Sequence, residues 1–131
     1  MRRRPLGRLA QALAAQDAML LELKGIFSPE LNQPHTPDDP ECCTVFMYAD
    51  IGPKGSPGAE QFNFTVITPA FLAKNPQTRW GKGYLLVPEF SWREVERMVS
   101  RLVSSTSAET WGDAAQSLSR YMDWEFENYQ S

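Results

Sequence analysis

The stretch "CCTVFMYADIGPKGSPGAEQFNFTVIT", residues 42–68, contains the clearest strand patterns of this chain. Both of its ends, 42–51 and 60–68, are rich in β-branched and aromatic residues. In the second end, apolar and polar side chains alternate, which is typical of a strand with one buried face. The middle is rich in glycine and proline, the residues that turns need. The stretch therefore predicts a β-hairpin at the centre of the sheet.

The glycine-rich turn also raises the question of phosphate binding. A phosphate loop of the G-x-x-x-x-G-K-[ST] type runs from a strand into a helix, whose N-terminal N–H groups hold the anion. Here Lys54 precedes Gly55, the spacing is absent, and a strand follows instead of a helix. We therefore interpret the segment as the turn of the hairpin. Three of its glycines are expected to supply positive φ, namely Gly52, Gly55 and Gly58.

Outside the hairpin, the patterns predict two further strands, a short helix and two C-terminal helices. Residues 19–26 and 79–90 have the composition of strands, and residues 69–75 that of one or two helical turns. Each C-terminal helix opens with a capping box, formed by Ser91 and Glu94 in the first and by Thr110 and Asp113 in the second. Because the strands precede the helices without βαβ alternation, we predict an α+β fold. It has an antiparallel sheet of about four strands with two C-terminal helices packed on it.

The charge of the chain is unevenly distributed. Residues 1–18 hold four arginines and one acid, a net charge of +3, so residues 19–131 carry −6 of the total of −3. We expect residues 1–18 to be a basic, poorly ordered N-terminal extension and residues 19–131 to form a single domain. The acidic domain repels nucleic acid phosphates and suits a basic protein partner.

The composition indicates an ordinary soluble protein. The hydrophobic fraction is 42%, and no apolar run reaches the length of about 18 residues that a membrane span needs. The basic start lacks the apolar core of a secretion signal. We therefore expect a cytoplasmic protein that binds neither membrane nor nucleic acid.

The sequence offers no convincing set of catalytic or metal-binding residues. His35 is the only histidine, so a site with several histidines cannot form, and the nucleophile turn G-x-S-x-G is missing. The adjacent Cys42 and Cys43 give neither a disulfide framework nor a metal set. We therefore expect no enzyme, no cofactor and no metal; a small hydrolase that depends on His35 is the least favoured alternative.

Two acidic segments are candidate binding surfaces. The first is the proline-rich loop before the hairpin, which carries Glu30, Asp38, Asp39 and Glu41. The second is the C-terminal "DWEFENY", in which aromatic residues alternate with Asp123, Glu125 and Glu127. These aromatic residues either attach the tail to the core or anchor a partner, and the two interpretations are compatible.

Several stretches, taken in order, resemble the immunity protein 8 family of bacterial polymorphic toxin systems. They are "LKGIFSPEL", "IGPKGSPGAEQFNFTVITPAFL", "YLLVPEFSWREVERMV" and "ETWGDAAQSLSRYMDWEFENY", and they extend from about residue 19 to the end. The resemblance implies an α+β protein without catalytic activity that binds and neutralises a cognate secreted toxin. It also implies recurring positions of mainly structural importance, which here are Gly52, Pro53, Gly55, Trp111, Trp124, Glu125 and Phe126.

The leading hypothesis is thus a cytoplasmic immunity protein that covers its toxin sterically, through complementary charge. An acidic inhibitor associates fastest with a basic enzyme such as a nuclease. The runner-up is another binding module, such as a secretion chaperone that holds an unfolded segment of an effector. Neutralisation of the toxin without an effect on its export distinguishes the two.

Overall fold

The computed structural model describes residues 18–126. The elements in chain order are β1 (Leu21–Phe27), β2 (Thr44–Pro53), β3 (Glu60–Ile67), α1 (Pro69–Lys74), β4 (Tyr84–Leu86), α2 (Trp92–Ser105), α3 (Trp111–Leu118) and β5 (Asp123–Trp124). The strands are ordered β1-β2-β3-β4 in one sheet, and β5 also pairs with β3. The α+β class is confirmed.

The central hairpin is confirmed, with β2 and β3 paired antiparallel from Thr44 opposite Ile67 to Ile51 opposite Glu60. The prediction for the turn glycines was wrong at two of three positions. Of these three, only Gly55 has a positive φ, of 82°. Gly52 is needed for another reason, since a Cβ atom there would lie 2.1 Å from the carbonyl oxygen of Gly58.

Strand β4 differs from the expected long antiparallel strand. It spans three residues and runs parallel to β3, with Thr65 opposite Tyr84. The connection through α1 carries the chain back before β4 begins, so the two strands run in the same direction. Helix α1 begins where the Thr68 hydroxyl accepts a hydrogen bond from the N–H of Phe71 at 3.3 Å. The sheet is therefore mixed.

Helices α2 and α3 pack on one face of the sheet, which we call the inner face. Their predicted caps are confirmed, because the hydroxyls of Ser91 and Thr110 accept hydrogen bonds at 3.3 Å and 3.1 Å from N–H groups in the first turn. Alternate residues of the hairpin are buried below the helices, namely Val45, Met47, Ala49, Ile51, Phe62, Phe64 and Val66. Within residues 18–126, no helix has the length and apolarity of a membrane span.

Candidate functional site

The face of the sheet opposite the helices, which we call the outer face, carries three aromatic rings in mutual contact. Phe46 and Tyr48 alternate along β2 with the buried residues of the inner face, and Phe27 of β1 lies opposite Tyr48. The ring centroids are 5.2 Å apart for Phe27 and Tyr48 and 5.1 Å for Phe46 and Tyr48. Phe27 remains 42% exposed. These three residues are named the aromatic patch.

Three acidic residues, named the outer carboxylates, lie beside the aromatic patch: Asp50, Asp123 and Glu125. Asp123 lies opposite Asn63, which itself lies opposite Tyr48, so Asp123 belongs to the outer face. Asp123 forms an ion pair with Lys82, with Nζ 3.1 Å from Oδ1.

Glu125 is fixed by the backbone of β3 close to Asp50. The N–H of Glu125 donates to the carbonyl oxygen of Gln61 at 3.1 Å, and Oε2 of Glu125 accepts a hydrogen bond from the N–H of Gln61. Gln61 lies opposite Asp50 in the hairpin. Burial raises the pKa of the Asp50 carboxyl, and the charge of Glu125 raises this pKa further. Within residues 18–126, neither Asp50 nor Glu125 forms an ion pair.

Glu30 supports the other end of the aromatic patch. Strand β1 ends at Phe27, so it leaves the backbone of Phe46 without a strand partner on that side. The Ser28 hydroxyl donates to the carbonyl oxygen of Phe46 at 2.6 Å, and Glu30 Oε1 accepts from the N–H of Phe46 at 2.9 Å. The two side chains satisfy groups that a longer strand would have satisfied.

The acids of the proline-rich loop lie elsewhere. Asp38, Asp39 and Glu41 are exposed, and their loop is attached near the start of α2, where the indole of Trp92 donates to the carbonyl oxygen of His35 at 2.6 Å. Along β2, this end of the sheet is separated from the outer carboxylates by roughly 20 Å of strand. The structure therefore does not bring the two acidic segments together. Glu127 lies outside the described residues.

His35 does not take part in a catalytic arrangement among residues 18–126. Its side chain is exposed, and its Nδ1 lies 3.0 Å from the carbonyl oxygen of Asn32. In the same part of the chain, no three residues among His, Cys, Asp and Glu are grouped so that they could hold a metal ion.

A cluster of tryptophans around Glu60 lies at the end of the hairpin. Glu60 Oε1 accepts hydrogen bonds from the indole N–H groups of Trp111 at 2.6 Å and of Trp124 at 2.8 Å. Phe62 stacks on Trp124 and meets Trp111 edge-on. These four residues are named the tryptophan cluster, and Phe126 packs edge-on against Trp124. The cluster joins α3 and β5 to the start of β3.

The family model for Immunity protein 8 matches residues 21–129. The chain belongs to this family. The resemblance expected from the sequence is thereby confirmed, and it makes the chain an immunity protein, a protein that neutralises a toxin. Neither a curated protein nor a solved structure matches the chain.

In this immunity protein, the positions that the resemblance implies to be recurring lie mainly in the hairpin turn and the tryptophan cluster. Gly52 and Gly55 shape the turn, while Trp111 and Trp124 share the Glu60 acceptor. Sequence reasoning missed Glu60 and the aromatic patch. The signal for the patch was present, because the run from residue 45 to 49 is apolar on both faces of a strand.

A groove is the other notable apolar feature of the described residues. It lies between α2 and β4, has a volume of about 350 Å³, and its lining includes Met98, Leu102 and Tyr121. Arg101 also lines it. Tyr121 is 58% exposed. The groove thus combines apolar walls with a positive charge.

Proposed function

We propose that this immunity protein binds one cognate toxin domain and neutralises it by covering it, without chemistry of its own. Membership of the Immunity protein 8 family carries this proposal. The net charge of −6 on residues 19–131 supports a partner with a basic surface. A toxin that acts on nucleic acid has such a surface, since it must attract phosphates.

The outer carboxylates would contribute most to the attraction. Asp50 and Glu125 repel one another in the free protein, and within residues 18–126 neither has a cationic partner. An arginine or lysine of the toxin would relieve this repulsion and form charge-assisted hydrogen bonds. Long-range attraction between the two surfaces would also speed association.

The remaining acidic candidates take lesser roles in this proposal. Asp123 already forms an ion pair with Lys82, and the side chain of Glu30 accepts a hydrogen bond from the backbone of β2. Four further acids would add to the negative electrostatic potential around the contact with the toxin. They are the exposed loop acids Asp38, Asp39 and Glu41, together with Glu127. We further propose that residues 19–131 are the functional unit and that it acts in the cytoplasm of the cell that makes the toxin.

Co-expression with the toxin domain encoded beside this chain tests the proposal. We expect cells that make both proteins to grow, the two proteins to co-purify as one complex, and the association rate to fall steeply as salt is raised. The control is His35→Ala, which should protect cells fully because no catalysis is involved. Growth arrest despite soluble immunity protein would refute the function. Protection that disappears in the control would favour a hydrolase.

A further inference from the structure

We propose that the toxin docks on the outer face of the sheet, with the aromatic patch at the centre of the contact and the outer carboxylates at its edge. This inference rests on the proposed function. The occupant is a folded toxin surface that presents arginine or lysine side chains.

The aromatic patch has the form of a preorganised anchor. The two helices that build the core cover the inner face alone, and the three rings of the patch fix one another by direct contact. Aromatic side chains that are already rigid lose little conformational entropy on binding, and they dominate the energy of many interfaces. The hydrogen bonds of Ser28 and Glu30 to Phe46 hold this part of β2 in place.

The charge beside the patch selects the kind of partner. Asp50 follows Tyr48 by two residues on the same face of β2, and Glu125 is bonded to the backbone of Gln61, which lies opposite Asp50. A guanidinium group stacks on an aromatic ring and at the same time bonds a carboxylate with its planar fork. The arrangement of ring and paired carboxylates therefore suits arginine better than an apolar or acidic surface.

The groove beside α2 is the competing surface, and its charge argues against it. Arg101 lines the groove, and Arg93 lies two helical turns before it along α2, while Arg97 between them is paired with Glu94. Residues four apart lie on the same side of a helix. A basic toxin would meet like charges there, which disfavours association.

A double variant of the patch tests the inference. Phe27→Ser with Tyr48→Ser removes two anchors from the outer face without opening the core, and we expect the dissociation constant for the purified toxin domain to rise about 100-fold. The matched control is Met98→Ser with Tyr121→Ser, which removes exposed apolar side chains from the groove. We expect this control to bind like the wild type.

The variant Asp50→Lys changes a charge on the outer face and leaves the three aromatic rings in place. A lysine there would lie beside Glu125 and pair with it, so we expect the folded state to be retained while the negative charge that this pair offers to the toxin is cancelled. We expect binding to weaken at least as much as in the double variant, with an unchanged circular dichroism spectrum.

The outcomes separate this inference from the function on which it rests. If wild-type protein protects cells and both outer-face variants bind the toxin normally, the docking surface is wrong and the function stands. If only the control variant Met98→Ser with Tyr121→Ser loses binding, the toxin docks in the groove beside α2, which overturns the inference. If wild-type protein fails to bind the toxin at all, both proposals fall. Dimers of the free protein that dissociate in the double variant would show that a second copy occupies the face, which also overturns the inference.

Discussion

The two faces of the hairpin differ in how their acidic side chains interact with the groups around them. At the inner face, Glu60 gives one oxygen to two indole N–H groups, and within residues 18–126 no buried side-chain nitrogen or oxygen lacks a hydrogen-bond partner. At the outer face, Asp50 and Glu125 meet as like charges. Hydrogen bonds within the fold satisfy the first arrangement, whereas the second keeps a repulsion that a cation would relieve. The difference distinguishes the residues that stabilise the fold from the residues that we propose for contact with the toxin.

The largest expected effect comes from breaking the inner arrangement at Glu60. The variant Glu60→Ala leaves the indole N–H groups of Trp111 and Trp124 without their acceptor. We expect the free energy of unfolding to fall by about 3 kcal/mol, since each unsatisfied donor in a partly buried position costs roughly 1–3 kcal/mol. Urea unfolding followed by tryptophan fluorescence measures the loss.

The matched control for this prediction is Glu60→Gln. It keeps an oxygen that can accept both indole N–H groups and removes only the charge, so most of the stability should be retained. An equal loss in the two variants would contradict the role of the shared acceptor and point to the charge of Glu60 instead.

A smaller effect is expected where the turn brings two backbones together. In Gly52→Ala, the added methyl group would collide with the carbonyl oxygen of Gly58, 2.1 Å away. Displacing the turn should cost about 2 kcal/mol, as is usual for overpacking. The control is Gly25→Ala, where a Cβ meets nothing within 4 Å. Thermal melts of the two variants should differ clearly; similar melting temperatures would mean that the turn adjusts freely.

The sequence indicates the parts of this fold that local patterns encode. The hairpin, the two helix caps and the α+β class follow from alternation, turn residues and capping boxes within short windows. The direction of β4 and the tryptophan cluster do not, because they depend on contacts across long separations. Glu60 is 51 residues from Trp111 and 64 from Trp124, and no local pattern links them.

The sequence predicts only part of the candidate contact surface, because the rest also depends on contacts between residues far apart in the chain. The acids at 123 and 125 could be recognised as charged positions, but the closeness of Glu125 to Asp50 requires the pairing of β5 with β3. Phe46 and Tyr48 make the run from residue 45 to 49 apolar on both faces, but the sequence does not tell which of the two faces the helices cover. The structure separates them by showing that helices cover one face of the sheet and leave the rings on the other.

The smallest expected effect on stability has the opposite sign. In Asp50→Asn, a half-buried carboxyl beside Glu125 is replaced by a neutral amide of the same shape. We expect the free protein to become more stable at neutral pH, by at most about 0.5 kcal/mol because solvent screens the repulsion. The same variant should bind the toxin more weakly, since the partner's cation loses one carboxylate.

The pH dependence identifies the cause of that gain. Because the pKa of Asp50 is raised in the folded state, folded wild-type protein binds the proton more tightly than unfolded protein, and its stability falls as the pH rises through this range. The asparagine variant lacks this loss. Its advantage should therefore be full at neutral pH and vanish as the pH falls below the unfolded-state pKa of about 3.9, where the carboxyl becomes protonated in both states. The control Glu96→Gln, an equal change of charge on the exposed side of α2, should leave stability and toxin binding unchanged. A stability gain at every pH, or tighter toxin binding, would show that Asp50 is not held in a costly charged state for the partner.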